Sequence, residues 1–195
     1  MDCNRNLEAL FAPGVAWAQA EIPSRRLEFA IGRELARRLL AGFGMPGVDL
    51  PVGAHGAPRW PRGMVGSISH SDTWCVVAVA PMAVAAALGI DVVPLDQPLD
   101  PGLLELIARP RERAWVLGAG PSRCDLRTRL LFCAKESSFK CLDPATQDRI
   151  DFRALGIEFA PDESSFRADL GATRPASGRA AVIHAHAVTV LEKYR

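Results

Sequence analysis

The stretch Leu131–Leu142, LFCAKESSFKCL, constrains this chain more than any other. It is spaced as a packed helix, yet it carries Lys135, Glu136 and Lys140 within six residues. Twenty of the chain's 23 basic residues are Arg and only three are Lys, so two of the three lysines fall in this one helix. Arg and Lys are not interchangeable: Lys is a compact, flexible point charge that reaches a phosphate oxygen or hands over a proton. A chain so biased toward Arg that keeps Lys twice here has a local chemical need.

At 100° per residue the helix has two unlike faces. Leu130, Ala134, Ser137, Ser138 and Cys141 make a small, weakly polar stripe suited to close packing. Phe132, Glu136, Phe139 and Lys140 lie on the other side, with Glu136 and Lys140 as an i,i+4 pair. One reading is a surface ion pair worth roughly 0.3–0.5 kcal/mol. The other is a partly desolvated site lined by the two rings, in which the carboxylate holds a metal and the lysines hold phosphate.

The bulk numbers restrict the setting. With 195 residues, 49% hydrophobic, there is material for one domain or two small lobes. No apolar run reaches the roughly 18 residues that span a bilayer, and the N-terminal MDCNRNLEALFAPG lacks the pattern of a secretory signal. The formal net charge of +1 argues against general nucleic-acid affinity. Five cysteines without a CxxC argue against a disulfide framework, so buried free thiols and a reducing cytoplasm are expected.

Residues 7–23 have no clear periodicity. Pro23-Ser24 announces a helix with Ser24 as N-cap, and Leu27, Ile31, Leu35 and Leu39 repeat along it until Gly42 and Gly44. Arg37 and Arg38 read as its solvated face, whereas Arg25 and Arg33 are placed to meet an anion. Gly44–Gly63 is a loop rich in Gly and Pro, a natural ligand-binding position. Val65–Ser69, Trp74–Ala80 and Val84–Val93 read as a three-strand meander with a turn at His70-Ser71-Asp72. Its last strand contains Asp91 among Ile90, Val92 and Val93, and an ionised Asp there needs a cation or a good donor as partner.

Asp96–Pro101 reads as a linker, followed by short helices over Leu103–Ala108 and from Arg109, and then the central helix Arg127–Leu142. Ile157–Phe159, Ser165–Ala168 and Ala181–Leu191 read as a second antiparallel sheet with turns at Pro161-Asp162 and Ser177-Gly178. The expected fold class is therefore α+β, with two similar lobes, each a small antiparallel sheet packed with a long helix. His184 and His186 form an HxH pair on one face of a strand, for which a structural role is expected over a metal site. Two isolated carboxylates (Asp91, Glu136) with lysines beside one of them suit Mg²⁺ and a polyphosphate. No P-loop or GxGxxG occurs.

Four segments in order carry a resemblance: Gly56-x-Pro58-x-Trp60-Pro61, G-S-I-S-H-S (Gly66–Ser71), G-I-D (Gly89–Asp91), and F-C-A-K-E-S-x-F-K (Phe132–Lys140). With Arg25, Arg26, Glu28, Phe29 and Arg33 upstream, the chain resembles the 4′-phosphopantetheinyl transferases, of the enterobactin-synthetase or surfactin-synthetase type. The resemblance implies two pseudo-symmetric lobes, 1–89 with a coenzyme A-binding loop and 90–195 with a metal and pyrophosphate helix. It implies transfer of phosphopantetheine from coenzyme A to a serine of an apo acyl or peptidyl carrier protein, releasing adenosine 3′,5′-bisphosphate. It implies Mg²⁺ (or Mn²⁺) on Asp91 and Glu136, pyrophosphate contacts from Lys135 and Lys140, and Glu136 as acceptor of the serine proton. His70 and Arg25 then match contacts to the 3′-phosphate end, Arg33 another phosphate contact, Ser69 a coenzyme-binding position, and His55 a position beside the nucleotide.

One departure matters. The usual G-I-D-x-E reads G-I-D-V-V here, so Val93 stands where a second carboxylate is expected. Water fills that place, Glu112 is recruited, or metal binding is weak and the protein is a coenzyme- or carrier-binding module. Carriers are acidic as a class, and Arg109, Arg111 and Arg113 are candidates to steer them. A cytoplasmic monomer, without nucleic-acid or membrane partner, completes the expectation.

Overall fold

The computed structural model describes residues 7–24, 27–171 and 175–194. The chain is α+β, with two antiparallel sheets stacked between two long helices. The first sheet holds β1 (Ala16–Glu21), β2 (Met64–His70) and β3 (Trp74–Pro81) in the order β1-β3-β2, with helix α1 (Glu28–Gly42) on its outer face. The second holds β4 (Ala87–Pro94), β5 (Gly156–Phe159), β6 (Ser165–Asp169), β7 (Ala176–Ile183) and β8 (His186–Lys193) in the order β4-β8-β7-β6-β5. Between β4 and β5 run α2 (Leu103–Ile107), α3 (Pro110–Leu117), the central α4 (Pro121–Lys140) and the short α5 (Pro144–Gln147).

Strand alternation builds the layers. Cys75, Val77 and Val79 of β3 face Leu35, Ala36 and Leu40 of α1. Trp74, Val76, Ala78 and Ala80 point the other way, onto Leu88, Ile90 and Val92 of β4 and Val188 and Val190 of β8. The middle strand is therefore buried on both faces, which is why WCVVAVA lacks polar alternation. The outer face of the second sheet packs Val93, Ala187 and Leu191 against Leu130, Leu131, Cys133 and Ala134 of α4.

Helix α4 lies unusually close to β4. A Cβ on Gly89 would stand 1.9 Å from the Ser137 carbonyl oxygen, so only glycine lets the two backbones touch there. The small stripe predicted on the helix makes this possible: Ala134, Ser137 and Ser138 are fully buried and Cys141 nearly so. Contact at Gly89 sets the distance between Asp91, two residues on, and the end of α4.

Several expectations are corrected. Val84–Val93 is not a third strand of the first sheet: β1 and β2 already fill both edges of β3, and β4 pairs instead with β8, with Asp91 opposite Thr189. The sheets thus have three and five strands, not three each. Helix α1 begins at Glu28 with Leu27 at the N-cap, not Ser24, and the buried side is Gly32, Arg33, Leu35, Ala36 and Leu40, leaving Leu27 exposed. Helix α4 starts at Pro121, because proline fits the first helical turn, where its missing N–H costs nothing. Ser177-Gly178 lies inside β7, and the actual turn is His184-Ala185, both at positive φ. Those two residues form the tight hairpin connection more often written Asn-Gly. His184 and His186 therefore do not share a strand face.

Candidate active site

Asp91 occupies a β4 position whose side chain leaves the apolar inter-sheet face and turns toward α4. It is 6% exposed, and its Oδ1 accepts hydrogen bonds from Ser69 Oγ at 2.8 Å and Lys140 Nζ at 2.7 Å. Lys140 also donates to the Ile90 carbonyl at 3.1 Å. These donors are the partners a buried aspartate requires. Ser69 Oγ further accepts the Val92 N–H, and Ser67 Oγ the Ile90 N–H, at 3.3 and 3.0 Å. These two serines of G-S-I-S-H-S thus stitch the β2 edge to the β4 edge, and Ser69 holds the aspartate at that seam.

Glu136 sits one turn before Lys140 on α4. Burial pushes its carboxyl up to about 7, Asp91 pushes in the same direction, and Lys140 opposes both. Asp91, Glu136 and His70 line both a cleft of about 970 Å³ and a cavity of about 380 Å³, so they stand where the two meet. Phe139 walls the larger space and Phe132 the smaller, and both rings pack on Phe152, with centroids 5.7 and 6.2 Å away. The pair Glu136–Lys140 is therefore not a solvated surface pair. Val93 lines the smaller cavity beside Asp91.

Lys135 and Glu112 are brought to each other instead. Lys135 is fully buried, and its Nζ donates to Glu112 Oε2, the Phe152 carbonyl and the Leu155 carbonyl, each at 2.8 Å. Burial pushes its ammonium down, against the pull of Glu112. All three N–H donors are used, so none remains for a phosphate. Glu112 is likewise committed, accepting the Arg109 and Ile157 N–H groups, each at 2.7 Å. Neither residue lines the cleft or the cavity. The 100° step between Lys135 and Glu136 places them on different faces, a consequence of helix geometry that motif matching ignores.

The predicted anion contacts have several fates. Arg33 lines the cleft but is 4% exposed, and its guanidinium donates to the carbonyls of Leu50 (2.5 Å), Pro51 (3.2 Å) and Gly56 (3.1 Å). It braces the loop of residues 50–56 from beneath. His70 borders both spaces, with Nδ1 3.4 Å from Glu28 Oε2. His55 lines the cleft in a left-handed conformation (φ 54°), its Nε2 3.1 Å from Asp148 Oδ1. Arg25 lies outside the described residues. Arg109 is tied to the Arg153 and Ala154 carbonyls and Arg113 to Glu105, so two of the three arginines assigned to steering have structural partners. His186 serves structure, its Nδ1–H donating to the His184 carbonyl (2.7 Å) while Nε2 pairs with Ser71 Oγ (2.9 Å). The sequence reading missed Arg129, which pins the linker after β4 through the Pro94 carbonyl at 2.6 Å and the Gln97 carbonyl at 2.5 Å. A lone Arg on a helix gives no sequence signal of that role. Cys75 and Cys141 are pushed up to about 12 and Cys133 well above its ordinary value, all by burial, so these thiols are inert.

Among the described residues no group of three or more His, Cys, Asp or Glu is arranged to hold a metal. Asp91 and Glu136 supply two carboxylates at the edge of a roomy cleft. That donor set fits Mg²⁺, which keeps several waters and takes one or two carboxylates with substrate phosphates, and does not fit a closed all-protein cage. Among the described residues no helix is long and apolar enough to cross a membrane.

This fold and this junction define a class. Residues 87–194 match the 4′-phosphopantetheinyl transferase superfamily and residues 14–80 the 4′-phosphopantetheinyl transferase N-terminal domain. The chain belongs to that transferase superfamily. It is 41% identical over 170 residues to the 4′-phosphopantetheinyl transferase Svp of Streptomyces mobaraensis, covering 87% of this chain and 69% of that protein. Identity is 39% over 144 residues to Npt of Nocardia iowensis, covering 74% and 64% of the two chains. It is 34% over 145 residues to PptT of Mycobacterium tuberculosis, covering 74% and 63%. Both proteins carry the same transferase name. The chain spans about two thirds of the length of these curated relatives.

Proposed function

We propose that this chain transfers the 4′-phosphopantetheine group of coenzyme A to a serine of an apo acyl or peptidyl carrier protein, releasing adenosine 3′,5′-bisphosphate. The observation that carries this reading is the meeting of Asp91, Glu136 and His70 at the junction of two cavities, with Lys140 on Asp91. Coenzyme A occupies the larger cleft, between a lobe of residues 1–89 that carries its binding loop and a lobe of residues 90–195 that carries α4. The enterobactin-synthetase or surfactin-synthetase type is the subtype proposed, acting as a cytoplasmic monomer without nucleic-acid or membrane partners.

The residues divide the work. Lys140 turns from Asp91 to the pyrophosphate, and His70, Arg25 and His55 bind the nucleotide end. Ser69 holds Asp91 in place, and Arg33 supports the loop. The serine oxygen forms a bond to the β-phosphorus while the bond from that phosphorus to the bridging oxygen breaks. Glu136, in its ionised form, takes the serine proton, and the bisphosphate leaves with the bond electrons. Asp91 and Glu136 would hold Mg²⁺ (or Mn²⁺), which when bound supplies charge neutralisation at the pyrophosphate. Lys135 and Glu112 act as a strut that holds α3 and β5 to α4.

The decisive experiment is intact-mass spectrometry of an apo carrier incubated with coenzyme A, Mg²⁺ and this protein. A gain of one phosphopantetheine is expected, and no gain across several different carriers overturns the reading. Val93 favours one alternative, a catalytically weak or inactive coenzyme- or carrier-binding protein, because an apolar side chain stands beside Asp91 in the smaller cavity. Gain with Val93→Glu but not with the natural chain would select it.

A further inference from the structure

The two sheets are joined beside the cleft by Ser67, Ser69 and Asp91, and a different contact is made at His55 on its lining. His55, from the loop between α1 and β2, meets Asp148, the residue that ends α5, with Nε2 and Oδ1 3.1 Å apart. Both partners are built to be there. His55 holds a left-handed backbone (φ 54°, ψ 25°) that residues other than glycine adopt only when the surroundings impose it. Arg33 braces the same loop on either side of it, through the Leu50, Pro51 and Gly56 carbonyls. On the opposite wall, Gln147 anchors α5 by donating to the Phe139 and Leu142 carbonyls at the end of α4. Asp148 is thus tied to the same helix that carries Glu136 and Lys140.

A carboxylate held on the cleft-lining His55, one residue past the cleft-lining Gln147, opposes the approach of any anion to that imidazole. It also satisfies the imidazole N–H as a phosphate oxygen would. We infer that Asp148 is a resident counter-anion on His55, which a ligand phosphate displaces on binding and which reclaims His55 as the ligand leaves. Asp148 is then a specificity-determining residue that lowers affinity for the anionic ligand and speeds its release. This inference rests on the reading of the cleft as a polyphosphate site, and coenzyme A is only one of the ligands that would satisfy it.

The test is calorimetric titration at low ionic strength of the natural chain, Asp148→Ala, His55→Ala and the double variant. The probes are coenzyme A, adenosine 3′,5′-bisphosphate and inorganic pyrophosphate. Because the pair is half exposed, Asp148→Ala is expected to tighten binding by about two- to fivefold. His55→Ala weakens binding, and adding Asp148→Ala to it produces no further tightening. Weaker or unchanged binding in Asp148→Ala, or equal tightening with and without His55, overturns the inference. Binding of pyrophosphate or the bisphosphate without coenzyme A, with the same His55 dependence, keeps it while removing the coenzyme reading. Absence of binding by all three probes removes both.

Discussion

Lys140 Nζ lies 2.7 Å from Asp91 Oδ1, an ion pair that joins the end of α4 to the middle of β4 inside the cleft. Lys140 is partly exposed and Asp91 is not, so each side chain depends on the other differently. Asp91→Ala leaves the lysine free to reach solvent, whereas Lys140→Ala leaves a buried carboxylate with Ser69 alone. Lys140→Ala should therefore cost about 1–3 kcal/mol of stability, and Asp91→Ala less. Both should lower carrier modification at least a hundredfold, since the proposed reaction puts Lys140 on the pyrophosphate and Asp91 on the metal. Denaturant unfolding and the intact-mass assay, run on the same preparations, read the two effects separately.

Glu136 gives the metal-free protein a pH dependence of definite sign. Its carboxyl is raised from 4.5 to about 7, chiefly by burial. Between those values the folded chain keeps a proton that the unfolded chain has released, so stability falls as pH rises through that window. The loss is about 3 kcal/mol at most. Thermal melts in chelator from pH 4.5 to 8 should show the decline, and Glu136→Gln should flatten it. Added Mg²⁺ should raise the melting temperature more at pH 8 than at pH 5.5, because at the lower pH the metal must first displace the proton. Parallel profiles for the natural chain and Glu136→Gln would remove Glu136 as the titrating group.

What could be read from the sequence was chiefly what obeys local rules. The small stripe Ala134–Ser137–Ser138–Cys141 follows from helix periodicity, and the buried strand WCVVAVA from its lack of alternation. Asp91 announced itself as a charge among β-branched residues that needed a partner. Pairing between distant strands has no such signature, so β4 was assigned to the wrong sheet and β1 was not seen. That Lys135 turns away from the cleft has another cause. Its burial is decided by the loop 152–155, whose two carbonyls await a donor, and nothing in K-E-S-x-F-K reveals that loop.

The two lysines of α4 should consequently behave in opposite ways. Lys135→Met leaves Glu112 buried without its cation and takes the lysine donor from the Leu155 and Phe152 carbonyls, of which Phe152 keeps the Leu155 N–H, at a cost of about 3–5 kcal/mol. Turnover per folded molecule should nevertheless stay within about fivefold of normal well below the melting temperature, a change of under 1 kcal/mol in barrier. If Lys135→Met folds with near-normal stability but loses turnover, the strut assignment is wrong and a phosphate role returns.

Gly89→Ala tests the approach of β4 to α4. The new Cβ would meet the Ser137 carbonyl at 1.9 Å, a backbone atom that moves only if the whole helix moves. Overpacking of this kind costs about 1–3 kcal/mol, with rigid neighbours toward the upper end. Because Glu136 and Lys140 travel with the helix, turnover should fall more than the fraction unfolded explains. Equal stability and turnover in Gly89→Ala would mean that the helix is not held at this distance in solution.

Val93→Glu asks whether the missing carboxylate matters. Val93 is 9% exposed, packed among the residues under α4, and faces the smaller cavity next to Asp91. In chelator the substitution places a third, nearly buried carboxylate beside Asp91 and Glu136, so it should lower the melting temperature relative to the natural chain. Mg²⁺ should reverse the sign, giving Val93→Glu the larger metal-induced stabilisation, because a third carboxylate replaces a coordinated water. Calorimetric Mg²⁺ titration with bound coenzyme A reads the same difference as a tighter dissociation constant. If Val93→Glu gains no metal affinity, the residue after Val92 is not at a ligand position, and two carboxylates with water are the complete protein contribution.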